Sequence, residues 1–133
     1  MKHYAYLILI SFLVACGSSN ETADKRPDFW DGKWNATWTT PPSAYPGMED
    51  MAFEMNGSFD FAGDSLTITA NGFDGCIFQA DTLVHTQGWY VSNDTLFLVN
   101  EPGSLGMTYQ VVSQDASGIK LQLLKDIFVT LSK

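Results

Sequence analysis

The stretch from Met51 to Ala70 constrains the fold of this 133-residue chain more than any other. Met-Ala-Phe-Glu-Met-Asn-Gly-Ser-Phe-Asp-Phe, residues 51–61, alternates apolar and polar side chains with the period of a half-buried strand. It contains Asn56-Gly57, ordinarily a strong signal for a two-residue hairpin. A turn there would pair Glu54 with Phe59 and Phe53 with Asp60. Cross-strand partners share a face, so apolar would meet polar at every pair. A turn at Gly63-Asp64, with glycine first as a type II′ turn prefers, removes the conflict. It sets Phe61 against Leu66, Phe59 against Ile68 and Gly57 against Ala70 on one face, and Asp60 against Thr67 and Ser58 against Thr69 on the other. Residues 51–62 then form one long strand with Gly57 as a bend or bulge, partnered by 65–72. Long strands bent at glycine are what a closing barrel needs.

The remainder follows the same pattern. A turn at Asn93-Asp94 pairs Val91 with Leu96, Trp89 with Leu98 and Tyr90 with Phe97, so both faces of that hairpin are apolar and both should be covered. A third turn, at Asp115-Ala116-Ser117-Gly118, joins 107–113 to 119–124. At Lys125-Asp126 a tight turn would mismatch Leu121 with Thr130, and pairing alone leaves open whether the chain turns or bends. No window sustains apolar residues at helical spacing. The strand segments are 33–40, 49–62, 65–72, 76–80, 83–92, 95–100, 107–113, and 119–124 with 127–132, about eight in all. Short connections between them predict an all-β, up-and-down antiparallel β-barrel, with a β-sandwich as the alternative.

The N-terminus is of another kind. Lys2 precedes an apolar run from Tyr4 to Val14, about half the ~20 residues a spanning helix needs. The run closes on Leu13-Val14-Ala15-Cys16. This is the layout of a secretory signal, and its last four residues resemble the lipobox of bacterial lipoproteins. That resemblance implies cleavage before Cys16, a diacylglyceryl thioether on its sulfur and an acyl chain on its new amine, a membrane anchor of more than one chain. Residues 1–15 are then the signal peptide, 16–28 the lipidated cysteine with a polar tether (Gly17–Asp28), and 29–133 the domain. One of the seven basic residues, Lys2, lies in the signal, so six remain against fifteen acidic ones. An acidic body argues against nucleic acid and anionic headgroups as direct partners. The expected location is the cell envelope, on a bacterial membrane and facing the periplasm from the outer membrane, since no acidic run follows Cys16.

Within the domain, Phe29-Trp30-Asp31-Gly32-Lys33-Trp34 opens the first strand of the meander. It resembles the Gly-x-Trp signature of lipocalins and of smaller lipocalin-like bacterial lipoproteins, with Gly32 and Trp34 at the two signature positions. Gly88-Trp89-Tyr90-Val91 followed by Asn93-Asp94-Thr95-Leu96 is similar to a middle hairpin of such domains. The resemblance implies a barrel whose signature tryptophan plugs one end, a first inter-strand loop lidding the other, and a small apolar ligand between. Two departures stand out. Lipocalins carry an arginine over that tryptophan near the last strand, whereas the only arginine here, Arg26, lies in the tether. Lys125 or Lys133 is left to replace it, without a guanidinium plane for stacking. The domain is also short, which favours a small or filled interior.

Candidate ligand-binding residues are Tyr45 and Met48 in the Pro-rich segment 41–50, and Met51, Phe53 and Met55 on the apolar face of the second strand. Met and Phe lining a cavity suit a lipid-like ligand, and the same residues also suit a packed core. The competing function is a non-enzymatic interaction or inhibitor protein with a filled core, acting through its acidic surface and loops. Cys76 and His85 are the one thiol beyond Cys16 and the one histidine beyond the signal, and no elbow, glycine-rich loop or paired carboxylate accompanies them. The chain therefore predicts no catalytic residues, and no ligand spacing predicts a metal or other cofactor. Finally, Asp64-Ser65-Leu66, Asp81-Thr82-Leu83 and Asp94-Thr95-Leu96 repeat one pattern. It resembles a bacterial O-glycosylation acceptor, which would make Ser65, Thr82 and Thr95 the modified residues. It reads equally as a turn aspartate leading into a strand.

Overall fold

The register set by Gly63-Asp64 is the one the chain adopts. A computed structural model describes residues 26–41, 46–47, 53–72 and 81–133, with only the backbone of Phe53. Strand β2 (Phe53–Ala62) pairs with β3 (Ser65–Asn71), setting Phe61 against Leu66, Phe59 against Ile68 and Gly57 against Ala70. Gly63 has φ +59°, as the first central residue of a type II′ turn must. Strand β4 (Thr82–Ser92) and β5 (Thr95–Glu101) pair Trp89 with Leu98, Tyr90 with Phe97 and Val91 with Leu96. Their turn residues Asn93 and Asp94 lie at φ +48° and +54°, a type I′ geometry these two side chains tolerate.

With β1 (Gly32–Thr40), β6 (Ser104–Asp115), β7 (Gly118–Leu123) and β8 (Ile127–Ser132), the strands form a closed barrel in sequence order. Closure through β1 and β8, with Ala36 against Leu131 and Trp38 against Val129, excludes the sandwich. Followed once round the ring, the registers return to β1 displaced by about 12 residues, a stagger that tilts the strands and widens the interior. An interior of that width needs large side chains to fill it.

Several boundaries differ from the sequence expectation. Segment 76–80 lies outside the described residues, and β3 pairs directly with β4, from Ser65↔Gly88 to Asn71↔Thr82, with no strand between them. The eighth strand comes instead from the C-terminus, where 119–124 and 127–132 are separate strands. A three-residue connection, Leu124 to Asp126, resolves the mismatch there. It sets Leu123 against Ile127 and Leu121 against Val129, with Leu124 exposed at φ +52°. No register shift occurs at Gly57 in either pairing. The irregularities fall in β5–β6 and β6–β7. Described structure also reaches back into the expected tether, because Asp28–Trp30 form a 3₁₀ turn and the Arg26 Nε–H donates to the Trp89 carbonyl at 2.9 Å. The Asp115 turn is held by its own carboxylate. That group accepts from the Ser117 hydroxyl, from the Ser117 N–H at 2.7 Å and from the Gly118 N–H at 3.2 Å, which holds its pKa below the usual carboxylate value.

Candidate ligand-binding mouth of the barrel

The two ends of the barrel are built differently. At one end lie the short turns 63–64, 93–94 and 116–117 and the 3₁₀ turn before β1. At the other lie the last residues of β1 and β3, the first of β2 and β4, and the turns 102–103 and 124–126.

The first end is plugged. Trp30, in the 3₁₀ turn, is fully buried. Its ring stands edge-on to Phe61 at 5.4 Å and stacks on Trp89 at 6.1 Å, and its indole N–H donates to Gln114 Oε1 at 3.1 Å. The Trp34 indole donates to the Trp30 carbonyl at 2.8 Å, tying the signature position to the plug, while Trp89 donates to the Gly63 carbonyl at 3.1 Å. Lys133 Nζ sits 4.5 Å from the Trp34 ring and 5.8 Å from Phe29, so of the two candidate lysines it is Lys133 that covers the tryptophan. Gly32, at φ +100°, carries the chain from the turn into β1.

Above the plug, the middle of the barrel is filled. Phe59 is fully buried, 5.7 Å from Trp38 and 5.9 Å from Tyr109, in one core cluster that also holds Leu98, Leu121 and Val129. Burial raises the Tyr109 phenol above its ordinary 10.0, a hydrogen bond with the Trp38 side chain offsetting part of the shift.

Near the open end the same inward face continues but loses its cover. Pairing carries it from buried Ala36 through Gly57 and Ala70 to Leu83, and from Phe59 through Ile68 to His85. Ile68, Ala70 and Met55 are half-buried against the core, Leu83 is 52% exposed and His85 is exposed. The mouth is thus an apolar rim above an aromatic floor, with one imidazole among aliphatic side chains. Of the sequence candidates, the structure places Met55 here, across from Trp38. Tyr45, Met48 and Met51, and the side chain of Phe53, lie outside the described residues, as do Cys16 and Cys76. Sequence reasoning missed Leu83 and His85 as rim residues. The signal was available, because extending the β3 register into the next strand puts His85 beside Ile68.

Other features carry less chemistry. Shallow depressions of about 400 and 450 Å³ lie at the plugged end, around Arg26, Asp31 and Trp89, and on the outer wall around Thr108, Gln122 and Lys125. No three His, Cys, Asp or Glu side chains converge as a metal site among the described residues. Ser65, Thr82 and Thr95 are the first residues of β3, β4 and β5, each after an aspartate in a turn or bend, the positions the turn-to-strand reading of that repeat requires.

Together these features define a closed eight-stranded antiparallel up-and-down barrel, plugged at one end and apolar at the other. Comparison with protein-family models, with curated proteins and with solved structures gives no match.

Proposed function

We propose that this chain is a lipid-anchored envelope protein whose barrel mouth holds a small apolar ligand. The observation that carries the reading is the exposure of inward-facing Leu83, continuous with half-buried Ile68, Ala70 and Met55, above a floor that is fully buried. Exposed apolar surface on the concave side of a barrel is what such a ligand would cover. The filled middle limits its depth, so only the end of an acyl chain or a compact apolar group fits, resting on Trp38. Trp38 is 8% exposed and lies nearer the mouth than the other three tryptophans, which makes it the natural reporter.

Native mass spectrometry of protein purified from its own envelope is expected to show a co-purifying lipid-sized mass. Lauric or palmitic acid should shift the tryptophan emission of the emptied protein, and Leu83→Asp should weaken that binding about tenfold by removing apolar contact and adding a charge. A clean apo mass together with no emission change would leave the second reading, an interaction protein with a filled core. That reading draws on Phe59, Phe61 and Trp89 occupying the space a deep ligand would need.

The anchor rests on the lipobox residues Leu13 to Cys16. Metabolic labelling with a clickable fatty acid is expected to mark the wild-type chain and not Cys16→Ser. Equal labelling of both would remove the anchor from the proposal.

A further inference from the structure

Among the described residues, one stretch of the barrel wall has only one neighbour. Strand β4 pairs with β3 from Thr82 to Gly88, yet its pairing with β5 stops at Gly88↔Val99. Continuing that register would set Thr86 against Glu101, but no pair forms beyond Val99 on this side of β5, whose other side closes with β6 at Glu101↔Ser104. Residues 82–86 therefore overhang β5 as an edge.

The polarity of that edge follows from the ladder. Gly72 N–H donates to the Asp81 carbonyl at 2.8 Å, which makes 72↔81 a hydrogen-bonded pair. Bonded and non-bonded pairs alternate in an antiparallel ladder, so Leu83, His85 and Gln87 bond to β3. Thr82, Val84 and Thr86 turn their N–H and C=O groups the other way, where β5 does not reach. All five residues from Thr82 to Thr86 are exposed, with Leu83 at 52% and Val84 at 63%. Proteins blunt such edges with lysine, proline, an inward charge or a bulge, and Thr82-Leu83-Val84-His85-Thr86 contains none of the charged or proline devices and no register shift.

We infer that this overhang receives an extended peptide segment of another protein by strand addition, with an uncharged β-branched centre and basic flanks. The backbone groups of Thr82, Val84 and Thr86 supply the ladder, and outward-facing Val84 supplies an apolar contact beside it. Charge selects the flanks. Asp81 precedes the edge, Glu101 stands at its far end, and the chain as a whole carries −8. A second copy of this chain would bring the same acidic residues against themselves. The inference stands apart from the ligand reading, since it uses the backbone edge rather than the inner face.

The test uses the full chain in detergent and a labelled peptide, Lys-Lys-Thr-Val-Thr-Val-Thr-Val-Lys-Lys, followed by fluorescence anisotropy. Binding is expected to weaken about tenfold when alternate peptide nitrogens on one edge are methylated, since roughly two backbone hydrogen bonds are lost. Replacing the four lysines with glutamates should weaken it further and make the loss depend on salt. Val84→Pro removes an N–H that does not bond to β3, so it should abolish peptide binding while leaving the circular dichroism spectrum and fatty-acid response unchanged. Equal binding of the methylated and unmethylated peptides to the wild-type protein would overturn the inference whether or not the proline variant folds. So would no binding at all. Concentration-dependent dimers abolished by Val84→Pro, with the peptide ignored, would give the edge to a second copy and overturn the partner named here.

Discussion

Replacing Trp34 with alanine is expected to lower unfolding free energy by about 3–5 kcal/mol, the usual cost of emptying a large aromatic site in a core. Trp34 is 1% exposed and closes the plugged end together with Trp30. Removing its indole opens a void under Phe29 and strips the Trp30 carbonyl of its donor. It also leaves Lys133 with only the more distant Phe29 ring. The last of these is the smallest, since an exposed cation–π contact contributes about 0.5–1 kcal/mol. Most of the loss therefore comes from the cavity. Thr39→Ala, on the outward face of the same strand, should stay within about 0.5 kcal/mol of wild type. Urea denaturation of the two variants separates them. A Trp34→Ala protein within 1 kcal/mol of wild type would mean that this end of the barrel is not the rigid plug described above.

Gly57 carries the second large effect, in a direction opposite to strand propensity. A Cβ built on Gly57 runs into the Thr69 carbonyl oxygen and lies 2.9 Å from the Trp38 ring. The oxygen belongs to the neighbouring strand, where Thr69 pairs with Ser58, so it cannot retreat without breaking the β2–β3 ladder. Valine is a far better strand residue than glycine, a preference that amounts to about 1 kcal/mol at most. Overpacking against backbone costs about 1–3 kcal/mol and more when nothing yields. Gly57→Val is therefore expected to destabilise the barrel by at least 2 kcal/mol on that scale, with Gly57→Ala intermediate. Ser58→Val, one residue on and facing outward, should be nearly neutral. A Gly57→Val protein more stable than wild type by chemical denaturation would show that propensity outweighs the close approach.

Both variants probe features only partly legible in the residues. Trp34 is named by its place after Gly32, but its partner Trp30 reads from sequence only as part of the run that opens the first strand. Nothing local says that a three-residue turn folds back under the barrel. Gly57 reads as a bend or bulge because a long strand must curve somewhere; the pairing shows an uninterrupted register, so no bulge, and a close approach that glycine alone allows. The substitute for the expected arginine was likewise open between two lysines. Lys133 takes it because β8 ends beside β1 at the plugged end, while Lys125 lies in the turn at the opposite end.

What the sequence determined by itself was pairing between neighbours in the chain. Side chains alternate with period two, and a one-residue slip sends every apolar group to the wrong face. The turns at Gly63-Asp64 and Asn93-Asp94 thus follow from the requirement that apolar residues face each other. Tertiary structure decided what depends on closing the ring. Ladder formation between β8 and β1 joins residues about a hundred apart, for which no local pattern speaks. Closure sets the stagger that makes the interior wide enough to need Trp34, Trp38, Phe59, Phe61 and Tyr109 together. The same stagger leaves Leu83 uncovered at the rim and β4 standing past the end of β5, because tilted strands of unequal reach cannot all be paired along their full length.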